Sequence, residues 1–374
     1  MNLSIINFYL TDYTDSALPR HYEIFKCLKR QKINVDLYGC KQNHYVFNSN
    51  KVKKEENVYW VDSILYKNKF SRIISILLFF FKLIKKKKIR HSDYIYVTDP
   101  FLSFFFYISS FLFNFKLIYE VRDVWPKTLI KALGYKKNNI LVIFLKIIEK
   151  LLLKKSKLVI SNLENYHIHL NEINVKNKFF YLPNKLQKKN IFIKEENLNF
   201  IYAGYINKAT NLNFLIKSFQ NFNYSFKSSK LFIVGHGPLF KIFESENNNE
   251  FIIFKYTKSK NEIQKFVKKC SYGIISYNFD YELYKYGISP RKLIFYLENN
   301  LFPIFIGSFK MNKFLKSNYF QIKKNDINEF KNQFLLCKKK RKKICQLIIE
   351  NYKNSYIRFD YKKITKNFKL ILNG

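Results

Sequence analysis

Apolar residues run through this chain in short, nearly continuous stretches, each followed by a polar turn and then by a longer segment in which they return every three or four positions. Short continuous runs mark strands buried on both faces, and the wider spacing is that of amphipathic helices. The first such unit is a strand from Ile5 to Leu10, a loop reaching Pro19, a helix burying Ile24 and Leu28, and a strand from Ile33 to Tyr38. Tyr94 to Val97 and Leu117 to Tyr119 read as central parallel strands. A helix over 140–154, a strand from Leu158 to Ser161 and the segment Phe179 to Asn184 close the first half. The alternation resumes at 201–219 (IYAGYINKATNLNFLIKSF) and repeats at 231–244 (LFIVGHGPLFKIFE), and short helices with one strand follow residue 310. Strands alternating with helices predict parallel sheets of βαβ units, an α/β fold class. Ligands of such sheets bind beyond the carboxyl ends of the strands. That rule singles out Asp99 after one central strand and Glu120, Arg122, Asp123 and Trp125 after the other.

Two stretches exceed this pattern. Residues 70–90 contain ISILLFFFKLI followed by Lys85 to Lys88, and 101–113 is nearly as apolar. Charged or polar positions interrupt both well before the roughly 20 residues that a membrane-spanning helix needs. They read either as core helices or, for 70–90, as a segment lying on a membrane surface with its lysines toward acidic headgroups.

At 374 residues the chain is too long for a single core, and two domains are expected. Their boundaries read as 1–184, a charged linker over 185–197, 198–355, and a last helix over 356–374 that crosses back to the first domain. The net charge of +40 creates a field favouring nucleotide diphosphates, lipid pyrophosphates, anionic membranes or nucleic acid. The abundance of Lys, Asn, Ile, Phe and Tyr also carries the imprint of an A+T-rich genome. No nucleic-acid module is recognised, and the aromatic residues follow core periodicity, so a basic nucleic-acid-binding protein is the weaker reading. Five cysteines without pairing rhythm and six dispersed histidines predict neither disulfides nor a metal site, and suit a reducing cytoplasm. The first residues have no basic start or cleavage site of a signal peptide.

The densest chemistry lies at 286–307, YGISPRKLIFYLENNLFPIFIG. Gly287 permits a turn, Ser289 suits a helix cap and Pro290 the first helical position. Arg291 and Lys292 then stand in the first turn, where cations oppose the helix dipole unless an anion sits between them. The order of this block, of the two blocks at 201–219 and 231–244, and of YEVRDVWPKTLIKALG at 119–134 resembles the retaining glycosyltransferases of family 4. The last block is similar to that of the bacterial subgroup that builds O-antigen, capsule and related surface polysaccharides.

The resemblance covers roughly residues 16–310. It implies a GT-B fold, two Rossmann-like doubly wound domains facing each other across a cleft. It also implies transfer of a sugar from a nucleotide-diphosphate donor to a saccharide or lipid-linked acceptor. No further cofactor and no metal are expected, and the place of work is the cytoplasmic face of the inner membrane. With no metal motif, Arg291 and Lys292 are assigned to the departing diphosphate, helped by the helix start at Ser289 and Pro290 and by Lys208 in the turn after Gly204. Gly235 and Gly237 let backbone approach the nucleotide. Arg122, Asp123 and Trp125 are assigned to the acceptor side, Asp123 to positioning or deprotonating its hydroxyl. The chain departs from the family at three places. No glycine occurs in the loop 11–18, Lys185 replaces a glycine after Asn184, and Phe295 stands where an acid binds the ribose, for which Glu298 one turn on is a substitute. Arg20, His21, Tyr22 and Glu23 match the family's first helix but also read as ordinary solvated helix residues. A GT-B sugar-nucleotide epimerase is the enzymatic alternative.

Overall fold

A computed structural model describes residues 1–10, 20–42, 55–186, 198–225, 229–279, 282–288, 291–308, 315, 319–339, 341–358, 361 and 365–368. The chain divides into two compact units, Met1–Lys185 with Tyr361–Gly374, and Leu186–Asp360. The loop 11–18, the linker beyond Leu186, Ser289 and Pro290 lie outside the described residues.

The first unit runs β1 (Asn2–Asn7), α1 (Arg20–Arg30), β2 (Asn34–Cys40), β3 (Val58–Val61), α2 (Lys69–Ile84), α3 (Lys87–Arg90), β4 (Tyr94–Val97) and α4 (Pro100–Phe113). It continues with β5 (Lys116–Val121), α5 (Lys127–Leu133), α6 (Ile140–Lys155), β6 (Leu158–Ser161), α7 (Tyr166–Glu172) and β7 (Phe179–Tyr181). All seven strands are parallel, in the order β3-β2-β1-β4-β5-β6-β7. Parallel strands need crossovers on both faces, which is why β1 and β4 to β6 are buried almost throughout. Right-handed crossovers place α2, α4 and α6, which all advance the chain from β3 toward β6, on one face, and α1, which steps the other way, on the opposite face. On the α1 side, Tyr22, Phe25 and Leu28 pack with Tyr94, Tyr96, Tyr361 and Phe368, so the chain's last described residues belong to this core.

The second unit runs β8 (Phe200–Tyr205), a 3-10 turn (Lys208–Thr210), α8 (Leu212–Ser225), β9 (Leu231–His236), α9 (Phe240–Ser245), β10 (Ile252–Tyr256), α10 (Lys260–Val267) and β11 (Tyr272–Ser276). A 3-10 turn (Glu282–Tyr286), α11 (Arg291–Glu298), β12 (Phe302–Ile306), β13 (Phe320–Ile322), α12 (Ile327–Lys339) and α13 (Arg341–Arg358) complete it. Its sheet is again all parallel, β10-β9-β8-β11-β12-β13. Phe200, Phe219, Phe222, Phe330 and Phe334 fill the core between sheet, α8 and α12. In both sheets the chain reverses its direction of winding beside the first strand, between β1 and β4 and between β8 and β11. In open α/β sheets that is where the carboxyl ends splay into a ligand crevice.

Candidate functional site

The crevice of the second unit is held open by one tyrosine. Strands β8 and β11 pair only at Phe200 with Tyr272 and Ile201 with Gly273, then part. The Tyr296 hydroxyl enters the gap, accepting from the Ala203 N–H at 2.9 Å and donating to the Ile274 carbonyl at 3.0 Å. A Cβ on Gly273 would lie 2.4 Å from the Tyr296 ring, so that strand position must be glycine. Backbone groups that lose their ladder partners where the strands part are thus satisfied by a helix side chain, and α11 is fixed against the sheet.

One turn before Tyr296 on the same helix face stands Lys292. Its stem passes over Gly204, where a Cβ would be 2.8 Å from the lysine Cε. Its Nζ lies 3.7 Å from the centre of the Tyr202 ring and donates to the Tyr202 hydroxyl, which donates in turn to the Tyr205 carbonyl at 2.9 Å. Burial without an acidic partner pushes the ammonium down to about 7. Gly235, paired with Gly204 across β8 and β9, would put a Cβ 1.9 Å from the Gly204 carbonyl oxygen, and Gly237 would put one 2.1 Å from that of Ile206. Gly235→Ala is therefore expected to destabilise the second unit by at least ~1–3 kcal/mol, read as a lowered midpoint in denaturant; unchanged stability would show that these turns are arranged otherwise. The exposed Lys208 is tethered to the same edge, its carbonyl accepting from the Asn278 side chain at 3.0 Å. Arg291 opens α11 with an exposed side chain.

The first unit holds a buried charge centre that the sequence did not reveal. Glu120 lies within β5, not after it as expected, and is completely buried. Its carboxylate accepts from Arg20 Nε at 2.6 Å, from His21 Nε2 at 2.6 Å and from the Tyr96 hydroxyl at 2.8 Å. Arg20 also donates to the Leu182 carbonyl at 2.6 Å, the Pro183 carbonyl at 2.7 Å and the Tyr361 hydroxyl at 3.1 Å. Asn7 donates to His21 Nδ1 at 2.9 Å, so His21 is the neutral Nε2–H tautomer, and burial holds it below its ordinary value. The neighbouring cations hold Glu120 well below the usual carboxylate range, against the opposing effect of burial. Arg20, His21 and Glu23 are thus buried rather than solvated; Glu23 pairs with Lys185. Asp99 is a structural cap, accepting from the N–H groups of Phe101 and Leu102 at the start of α4.

Both doubly wound sheets can be compared with solved structures. Sucrose-phosphate synthase from Thermosynechococcus elongatus superposes with a TM-score of 0.72 at 10% identity, over 100% of this chain and 98% of that one. The lipopolysaccharide outer core galactosyltransferase WaaB gives 0.65 at 12%, covering 98% of each chain. Anabaena HepE, in complex with UDP and glucose, gives 0.63 at 11% over 100% of this chain and 99% of that one. The chain has the GT-B fold. No family model and no curated protein matches its sequence.

Within each GT-B unit, the predicted residues sort as follows. Gly204, Gly235, Gly237, Lys208, Arg291 and Lys292 share the carboxyl edge of the second sheet. Glu298 is at the other end of α11 and is buried. In the first unit Arg122, Asp123 and Trp125 form the turn directly beyond β5, Asp123 exposed and the other two half-buried. Tyr202 and Tyr296 were missed because tyrosines in apolar runs look like core. Gly273 inside a strand was the available signal. Among the described residues no group of three His, Cys, Asp or Glu side chains is placed to hold a metal ion.

Proposed function

We propose that this chain is a retaining glycosyltransferase that moves a sugar from a nucleotide-diphosphate donor to a saccharide or lipid-linked saccharide in surface-polysaccharide synthesis. The observation that carries the reading is Lys292, a half-buried cation without an acidic partner among its described contacts, held by Tyr202, Gly204 and Tyr296 at the switch-point crevice of a GT-B unit. An ammonium destabilised by burial has most to gain when a diphosphate arrives. As the bond from the sugar's C1 to the diphosphate oxygen breaks, the electron pair leaves with the diphosphate. Lys292, Arg291 and the N–H groups opening α11 receive that charge. On the first unit Arg122, Asp123 and Trp125 are assigned to the acceptor, Asp123 to positioning or deprotonating the hydroxyl that bonds to C1. The HepE complexes with UDP and UDP-glucose and the starch synthase IV complex with ADP support a nucleotide-diphosphate donor.

We place the enzyme peripherally on the cytoplasmic face of an anionic membrane, beginning from residues 70–90. No described helix is long and apolar enough to cross a membrane.

The test is a thermal-shift screen of UDP, GDP, ADP and CMP derivatives followed by a transfer assay in EDTA. A diphosphate at about 100 times its dissociation constant should stabilise by roughly 2.7 kcal/mol. Transfer should persist under chelation. Loss in EDTA with rescue by Mg²⁺ or Mn²⁺ would overturn the cationic leaving-group model. Epimerisation of the donor without transfer would replace the reading with a sugar-nucleotide epimerase.

A further inference from the structure

The helices α2, α4 and α6 share one face of the first sheet, and each turns an apolar side outward as well as inward. Phe79 and Leu83 of α2, Phe106 of α4, and Leu145 and Leu152 of α6 are buried. Yet Phe70, Phe81, Phe111, Leu112, Ile140 and Ile147 on the same helices are between 54% and 85% exposed. Of the 19 large apolar side chains that are exposed among the described residues, 12 lie on these three helices. A surface helix of a globular unit normally turns charge to water on its outer side; α4 has no charged residue over its whole length. A concentration of this kind on one face marks an interaction surface rather than ordinary scatter.

Its charge says what the partner is. Lys82 near the end of α2, Lys85 and Lys86 just beyond it, and Lys87 and Lys88 in α3 stand exposed, Lys88 also donating to the Tyr59 hydroxyl at 2.7 Å; Lys146, Lys150, Lys154 and Lys155 line α6. The one acid within the three helices is Glu149, which is buried against His169 at 3.2 Å; Asp99, capping α4, is buried too. We propose that this face seats on an anionic lipid surface, with the α4 and α6 apolar side chains among the upper acyl chains and the lysines among the headgroups. A second copy of the chain fits worse, since an isologous pair would bring two lysine rims together. The proposal deepens the membrane part of the reading above. It rests on that reading only for why a transferase would sit there, and it moves the principal apolar contact from 70–90 to α4 and α6.

Sedimentation of the full chain with vesicles tests it, using phosphatidylcholine alone and phosphatidylcholine with phosphatidylglycerol. Binding is expected only to the anionic vesicles and should weaken in high salt. The α6 triple variant Ile140→Ser, Phe144→Ser, Ile147→Ser and, separately, Lys85 to Lys88 changed to Gln should each reduce it by about tenfold or more. Circular dichroism and thermal melting should show both variants folded, because every changed side chain is exposed. Binding by the α6 variant equal to the parent's, binding of the parent to neutral vesicles as strongly as to anionic ones, or no binding at all would overturn the proposal. So would a parent dimer in sedimentation velocity that the α6 triple variant converts to monomer. The nucleotide thermal shift is read without vesicles, so failure of the membrane proposal and failure of the transferase reading are separately visible.

Discussion

Changing Lys292 to Ala is expected to cut turnover at saturating donor by about 100-fold or more, a loss on the order of 3 kcal/mol of transition-state stabilisation, while the second unit stays folded. The fold should tolerate the change because it removes a charge that burial disfavours and leaves Tyr296 holding the strands apart. Arginine should not rescue. The space over Gly204 beside the Tyr202 ring admits a slender stem with a compact head, and a planar guanidinium spreads where the Tyr202 hydroxyl and ring already stand. Burial holds the lysine at about 7 against its ordinary 10.5, so in the free protein it loses its charge progressively as the pH rises through 7. A bound diphosphate favours the charged form. Donor binding at pH 8 should therefore take up a proton, and donor affinity should fall as the pH rises through 7 and beyond. Initial rates with a melting curve of the variant, and calorimetry in buffers of different ionisation heat, measure both effects. Turnover within threefold of the parent enzyme would remove Lys292 from the mechanism.

Glu120→Ala should cost the first unit about 3–5 kcal/mol, since it strands the Arg20 charge in a buried site with no counter-ion. For a unit of this size that is a fall in melting temperature of roughly 6–20 °C. The same centre sets the response to acid. Glu120 is ionised in the folded unit and held below its ordinary 4.5, so its contribution is present above pH 4.5 and lost as the pH falls below that. His21 is held neutral, whereas in the unfolded chain it gains a proton below about 6.5, so its contribution also falls as the pH drops through 6.5. Both groups make stability decline from neutral pH toward pH 4. Glu120→Gln should flatten the lower part of that decline. A parent-like slope between pH 5 and 3 in the variant would show that other carboxylates carry the acid sensitivity.

Several of these groups were legible in the sequence and several were not, and the division follows distance along the chain. Continuous apolar strands alternating with amphipathic helices determine two parallel, doubly wound sheets, because a strand covered on both faces must be apolar throughout and a covering helix on one side only. The glycines at the carboxyl ends of β8 and β9 and the cations opening α11 also declare themselves locally, since turns and helix starts are made by neighbouring residues. Arg20 and Glu120 stand 100 positions apart, and Tyr361 joins Arg20 from 341 away; nothing near any of them distinguishes a buried ion pair from a solvated helix residue. Tyr296 reads as core until two strands are seen to part around its hydroxyl. The apolar excess of α2 and α4 was legible, that of α6 was not, and whether protein covers an apolar position depends on how many neighbours the sheet brings to it. Side-chain periodicity is a local property of the chain, and burial is a property of the assembled unit, so only the tertiary structure decided which of those residues face outward.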